Sequence, residues 1–214
     1  MLSTLSPAGL PPAADLQRLG QALAMLDAIN SPDPEYRYYT YDPQWDTNEQ
    51  LLEMNDGEGD QLFVLFRPEG CCINGSLSGH EPADKNQLTR GLPAVFEEFM
   101  FGEPVNSVGT TFCLWYTPAH GWQTGIVEPD EDDGSEDLLA IFDQNPETYA
   151  DWANGYYLDE TEREPIEAAD VARFYQHEPL TPATAQALNA EIIDWPQLAA
   201  DAEQIGYPSD LAVS

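Results

Sequence analysis

"QLFVLFRPEGCCINGSLS", residues 61–78, sets two apolar runs on either side of Pro68-Glu69-Gly70. A proline and glycine link this short joins antiparallel neighbours, because a parallel crossover needs a dozen residues or more. "TTFCLWYT" (110–117) and "WQTGIVE" (122–128) flank "PAHG" in the same way and read as a second hairpin. Between the pairs, "LPAVFEEFMF" (92–101) starts with Pro93 near a helix N-terminus and puts Val95, Phe96, Phe99 and Met100 on one side. Two hairpins around a helix give an α+β fold, an antiparallel sheet of hairpins packed with helices.

Upstream, Leu16, Leu19, Leu23 and Leu26 recur at helical spacing from Ala13 to Ile29, and "NSPDP" (30–34) stops the helix. The aromatic alternation "YRYYTY" (36–41) suits a strand, and Thr47 is placed to cap a short helix carrying Leu51 and Leu52. "NDGEGD" (55–60) reads as a turn. Downstream, helix starts are signalled at Asn145-Pro146, Glu164-Pro165, Thr181-Pro182 and Asp194, two before Pro196, while Gly206 with Pro208 ends the last helix. The chain reads as one domain of 214 residues, an N-terminal helix and sheet core over about 1–127 and an acidic helical part over about 128–214.

Charge sets the chemistry of its partners. The chain holds 39 Asp plus Glu against 7 Lys plus Arg, a formal net charge of −32. From residue 126 onward there are 22 acids and two bases, Arg163 and Arg173. Such a field repels nucleic acid and anionic membranes and attracts basic partners. The 42% apolar content, with five Trp, ten Tyr and eight Phe, sets it apart from disordered acidic chains. Without an apolar run of membrane-spanning length or a basic, hydrophobic leader, the expected location is the cytoplasm, where Cys71, Cys72 and Cys113 stay reduced.

The densest acidic stretch is "EPDEDDGSEDLL" (128–139), with seven carboxylates in its first ten positions. An EF-hand loop aligned on Gly134 puts Pro129 at the first ligand position, so the calcium pattern fails. Cys71, Cys72, His80, Cys113 and His120 lack zinc spacing, and no metal or other cofactor is expected. Asp133 and Glu136 stand three apart as an acidic capping box, with Asp137 in the first turn of the helix. Glu128, Asp130, Glu131 and Asp132 are left over, as a solvated loop or as an attracting surface. Tyr149, Trp152 and Tyr156 form a helical stripe in "NPETYADWANGYY" (145–157), read as a packed face or as an exposed anchor. His80 and His177 each stand before Glu-Pro. They mark element boundaries or, in an enzyme reading, converge with acids in a pocket. No nucleophile-elbow, P-loop, zinc-protease or dinucleotide motif accompanies them.

In order, "GCCINGSLSGHEP", "LPAVFEEF", "TTFCLWY", "DGSEDLL", "NPETYADWANGYY", "HEPLTPATAQALN" and "IGYP" resemble an uncharacterised family of bacterial proteins. The acidic α+β style is similar to that of immunity proteins, which neutralise secreted toxins. That similarity implies an acidic inhibitor of a basic protein but carries over no functional residue; the charge and aromatic pattern points to Glu128, Asp130, Glu131, Asp132 and Asp133 as contacts and Tyr156 and Tyr157 as anchors. The alternatives are a housekeeping or regulatory domain whose charge serves solubility, and an enzyme with an unrecognised carboxylate and histidine site.

Overall fold

Six strands form one antiparallel sheet in sequence order: β1 (Tyr39–Asp46), β2 (Glu49–Asn55), β3 (Gln61–Arg67), β4 (Gly70–Ser76), β5 (Phe112–Thr117) and β6 (Gly121–Gln123). The computed structural model describes residues 1–80, 83–130, 132–158, 163–192 and 194–211. By internal contacts the chain divides into two interleaved units, residues 1–17 with 44–143, and residues 18–43 with 144–214.

In the first unit the sheet is organised by the β3–β4 hairpin, paired from Gln61↔Ser76 to Arg67↔Gly70. Gly70 has φ 143°, and a Cβ there would collide with the Tyr116 carbonyl oxygen, so the turn demands glycine. Gly75 pairs with Phe112 and leaves room for its ring. Phe63, Leu65, Cys72, Cys113 and Trp115 join Leu88, Phe96, Phe99, Met100 and Val105 in one buried cluster. The latter five come from the β4–β5 connection: α2 (Lys85–Leu88), a 3-10 turn (Ala94–Phe96), α3 (Glu97–Phe101) and α4 (Val105–Val108). Leu52, Val64, Ile73 and Leu114, which alternate with the strand members of that cluster, are fully buried too. Burial of both faces explains why β3 is apolar at every interior position.

The N-terminal helix α1 covers Ala13–Asn30, with Leu16, Leu19, Leu23 and Leu26 buried. The next strand begins at Tyr39, later than the aromatic alternation suggests, since Pro34–Tyr36 form a 3-10 turn capped by Asp33. No helix follows Thr47. Asn48 takes φ 59° in a tight turn, and Leu51 and Leu52 lie in β2. Adjacent leucines suit a helix face or a strand buried on both sides, and pairing with β3 selects the strand. The strand expected over 122–128 ends at Gln123.

Beyond β6 come α5 (Ser135–Leu139), α6 (Pro146–Tyr157), α7 (Ala168–Tyr175), α8 (Pro182–Leu188) and α9 (Trp195–Ile205). Asn145 caps α6, Thr181 and Thr184 form a capping box on α8, Asp194 caps α9, and Gly206 ends it in the left-handed region. Pro165 does not open a helix: α7 starts at Ala168. Among the described residues no helix is long and apolar enough to cross a membrane.

Cys71, Cys72 and Cys113 are free thiols with no exposed surface, and burial pushes the Cys71 and Cys72 thiols up, suppressing the reactive thiolate. A disulfide-exchange reagent should leave all three unmodified in the native protein and titrate all three in denaturant. Prompt reaction of the native protein would contradict this packing.

Candidate functional site

The acidic stretch divides into carboxylates turned outward and one turned inward. Glu128, Asp130 and Asp132 are exposed, as are Glu136 and Asp137 in the first turn of α5. Asp132 keeps 81% of its side chain exposed; one oxygen stands 3.7 Å from His80 Nε2, and the other accepts from the Gly134 amide at 3.0 Å. Asp133 instead accepts from the Ser135 amide and hydroxyl and from the Thr4 hydroxyl, while the Thr4 amide donates to Ser135 Oγ at 3.1 Å. This ties Asp133 into the packing of the N-terminal segment. The expected capping box is absent: Gly134, at φ 76°, occupies the N-cap position, and no side chain caps α5. The inward bonds hold Asp133 away from that role. Asp130, Asp132 and Glu136 border a recess of about 260 Å³ with Thr4, Leu5 and Pro129. Glu131 lies outside the described residues.

The two proposed tyrosine anchors belong to the second unit, and their environments differ. Along α6, Tyr149 is buried, Trp152 half-buried and Tyr156 47% exposed. Trp152 stacks on Tyr156 with centroids 5.3 Å apart, and Tyr38 packs against both, at 4.7 and 5.3 Å. Tyr156 thus presents a ring braced from behind. Tyr157 turns its hydroxyl into the interior, beside the carboxylate of Asp27 but without a well-aligned hydrogen bond.

Sequence reasoning missed Asp27, which is completely buried on α1. One of its oxygens accepts from the Tyr38 and Tyr39 amides at 2.7 and 2.8 Å; the other accepts from the Tyr149 hydroxyl at 3.2 Å. Three donors thus hold the carboxylate, tying the chain entering β1 and helix α6 to α1. Burial pushes the Asp27 carboxyl up to about 6, against the opposing pull of the two amides and the tyrosines. The available signal was its position, four residues after Leu23 and eight after Leu19 on the apolar stripe of α1.

His80 and His177 each meet a residue distant in sequence rather than bonding locally. His80 faces Asp132, with Nδ1 buried and lacking a hydrogen-bond partner among the described residues. His177, at φ 56°, donates from Nε2 to the Arg18 carbonyl at 2.7 Å and packs on Tyr207. Among the described residues no group of three His, Cys, Asp or Glu side chains is arranged to hold a metal ion.

Asp27 gives stability a pH dependence. Its folded-state affinity for a proton exceeds that of the unfolded chain, whose carboxyl titrates near 3.8, so its contribution falls as pH rises from about 4 through about 6. The loss amounts to ~3 kcal/mol. In Asp27→Asn the amide oxygen can still accept from both backbone amides, but the charge is gone. Denaturant unfolding should show wild type losing about that much stability relative to the variant between pH 4 and 7. A constant difference would mean that Asp27 titrates as an ordinary carboxylate. Compared with protein-family models, curated proteins and solved structures, the chain matches none, so its own geometry is the guide to its function.

Proposed function

We propose that this chain is an acidic binding protein that associates with a basic protein, in the manner of an immunity protein neutralising a toxin whose cleft binds a polyanion. The observation that carries the reading is the set of exposed carboxylates at Glu128, Asp130, Asp132, Glu136 and Asp137. Among the described residues no lysine or arginine side chain pairs with any of them, and the His80 imidazole stands 3.7 Å from Asp132.

Clustered like charges in a folded protein cost stability, so a surface that keeps them uncompensated is suited to a partner that brings the cations. Carboxylates spaced along a loop present acceptors much as a phosphate backbone does, steer encounter, and form charge-assisted hydrogen bonds with arginine and lysine. Asp133 and Tyr157 have internal duties, so the reading leans on the outward carboxylates and on Tyr156, whose braced ring can receive a cation on its face. Inhibition by occupation needs no cofactor.

Replacing Glu128→Gln, Asp130→Asn and Asp132→Asn together removes charge without touching the core, and the asparagine oxygen introduced by the last change can still accept from the Gly134 amide. The variant should fold with equal or greater stability. Rim charges act chiefly on association, so its association with the basic protein captured by wild type at low salt should slow about tenfold or more and lose most of its salt dependence. Unchanged rates and salt dependence, or no basic protein captured by wild type, would refute the role of this loop and leave the charge as a device for solubility.

A further inference from the structure

The second unit contains a cavity of about 550 Å³, within the size range of small-ligand sites. Its apolar lining comes from Ala28 and Ile29 at the end of α1, Ile192, and Leu198 of α9. The buried polar groups of the wall are already satisfied. Asn189 donates to the Ile29 carbonyl at 2.9 Å and accepts from the Glu191 amide at 3.1 Å. Asp201 takes a two-pronged contact from Arg37, at 3.1 and 2.7 Å, and a third bond from Gln197. Asn30 donates to the Leu26 carbonyl and accepts from Arg163 at 2.7 Å. The buried part of the wall is therefore preformed and offers a ligand little further hydrogen bonding.

Among the described residues Arg163 is the one cation in the lining, and it is engaged. Its Nη2 bonds Asn30 Oδ1 and the Leu188 carbonyl, at the C-terminal ends of α1 and α8, where the helix dipole is negative. Glu191 adds attraction. What remains open is acceptor capacity. Asp33 and Asp194 each use one carboxylate oxygen to cap a following turn or helix, accepting from the Glu35 amide at 3.1 Å and the Gln197 amide at 2.9 Å. Among the described residues their second oxygens have no hydrogen-bond partner, nor does the Glu191 carboxylate. All three residues are exposed and line the cavity.

An apolar lining that also holds three carboxylates suits a cation on an aliphatic stem and disfavours an anion, which would meet three like charges for one occupied guanidinium. The geometry points to this cavity as the receptor for a lysine or arginine side chain of the basic partner, its stem on Ile29, Ile192 and Leu198 and its charged head among Asp33, Glu191 and Asp194. The inference rests on the proposed association with a basic protein and assigns it a contact far in sequence from the acidic loop.

The test uses the whole protein and capped amino acids: N-acetyl-lysine methylamide, N-acetyl-arginine methylamide and, as the uncharged counterpart, N-acetyl-norleucine methylamide. The side-chain amide resonances of Asn189 and Gln197 report occupancy. Saturable shifts with lysine or arginine at low salt, and none with norleucine, are expected. The double variant Asp33→Asn, Asp194→Asn keeps both caps, since asparagine caps as well as aspartate, and should weaken binding about tenfold. Norleucine binding equally well, an unaffected double variant, or a response to spermidine but to neither amino acid would overturn the inference. If neither amino acid binds while capture of the basic protein still depends on the acidic loop, the cavity is refuted and the loop stands. If they bind but no basic protein is captured, the cavity's cation chemistry stands and the protein-partner reading falls.

Discussion

With 39 carboxylates and 7 lysine or arginine side chains, ion pairing can satisfy few of the acids, and the fold turns instead to its own backbone amides. Asp56 accepts from the amides of Glu58, Gly59 and Asp60 and so shapes the turn before β3. Asp33, Asp84 and Asp194 cap turns and helices, Asp132 and Asp133 shape the approach to α5, and Asp27 gathers two amides in the interior. A cap of this kind contributes about 0.5–2 kcal/mol, whereas an exposed ion pair contributes about 0–1 kcal/mol. Capping carboxylates therefore do more for the fold than pairs such as Arg173 with Glu178. These bonds leave the negative charge in place, and the excess is carried outward.

That division explains how the two candidate contacts arise. The acidic loop has more carboxylates than its turn needs: Asp133 and one oxygen of Asp132 build the approach to α5, while Glu128 and Asp130 are exposed. At the cavity, Asp33 and Asp194 each use one oxygen on a cap, and among the described residues the other has no hydrogen-bond partner. Local folding and the proposed cation contact thus fall to different atoms of the same side chains. A lysine or arginine from outside can add its bonds without breaking a cap.

The hairpins, α1 and most downstream helix starts were legible in the sequence because each is signalled locally, by period, by proline or by a capping residue. Leu51 and Leu52 were misread because adjacent leucines fit either element until β3 pairs with them. Asp133 was assigned to a capping box on spacing alone, while its actual partners include Thr4, distant in the chain. The outward carboxylates were legible as a run of charge. Asp27 and the cavity lining that Asp33 shares with Glu191 and Asp194 were not, because what distinguishes them is burial or a shared cavity between segments far apart in sequence.

With 39 acidic side chains and 7 lysine or arginine side chains, the fold carries an excess of negative charge, which the proposed cationic partner would relieve. The most direct test is thermal unfolding of the isolated protein at pH 7 as sodium chloride rises from about 10 mM to about 200 mM, a range over which the screening length falls from ~30 Å to below ~10 Å. Screening should weaken self-repulsion in the compact state more than in the expanded chain, raising the melting temperature by about 3 °C or more. A melting temperature that stays flat or falls over this range would mean that the carboxylates are already balanced within the fold, and the account built on their excess would fail.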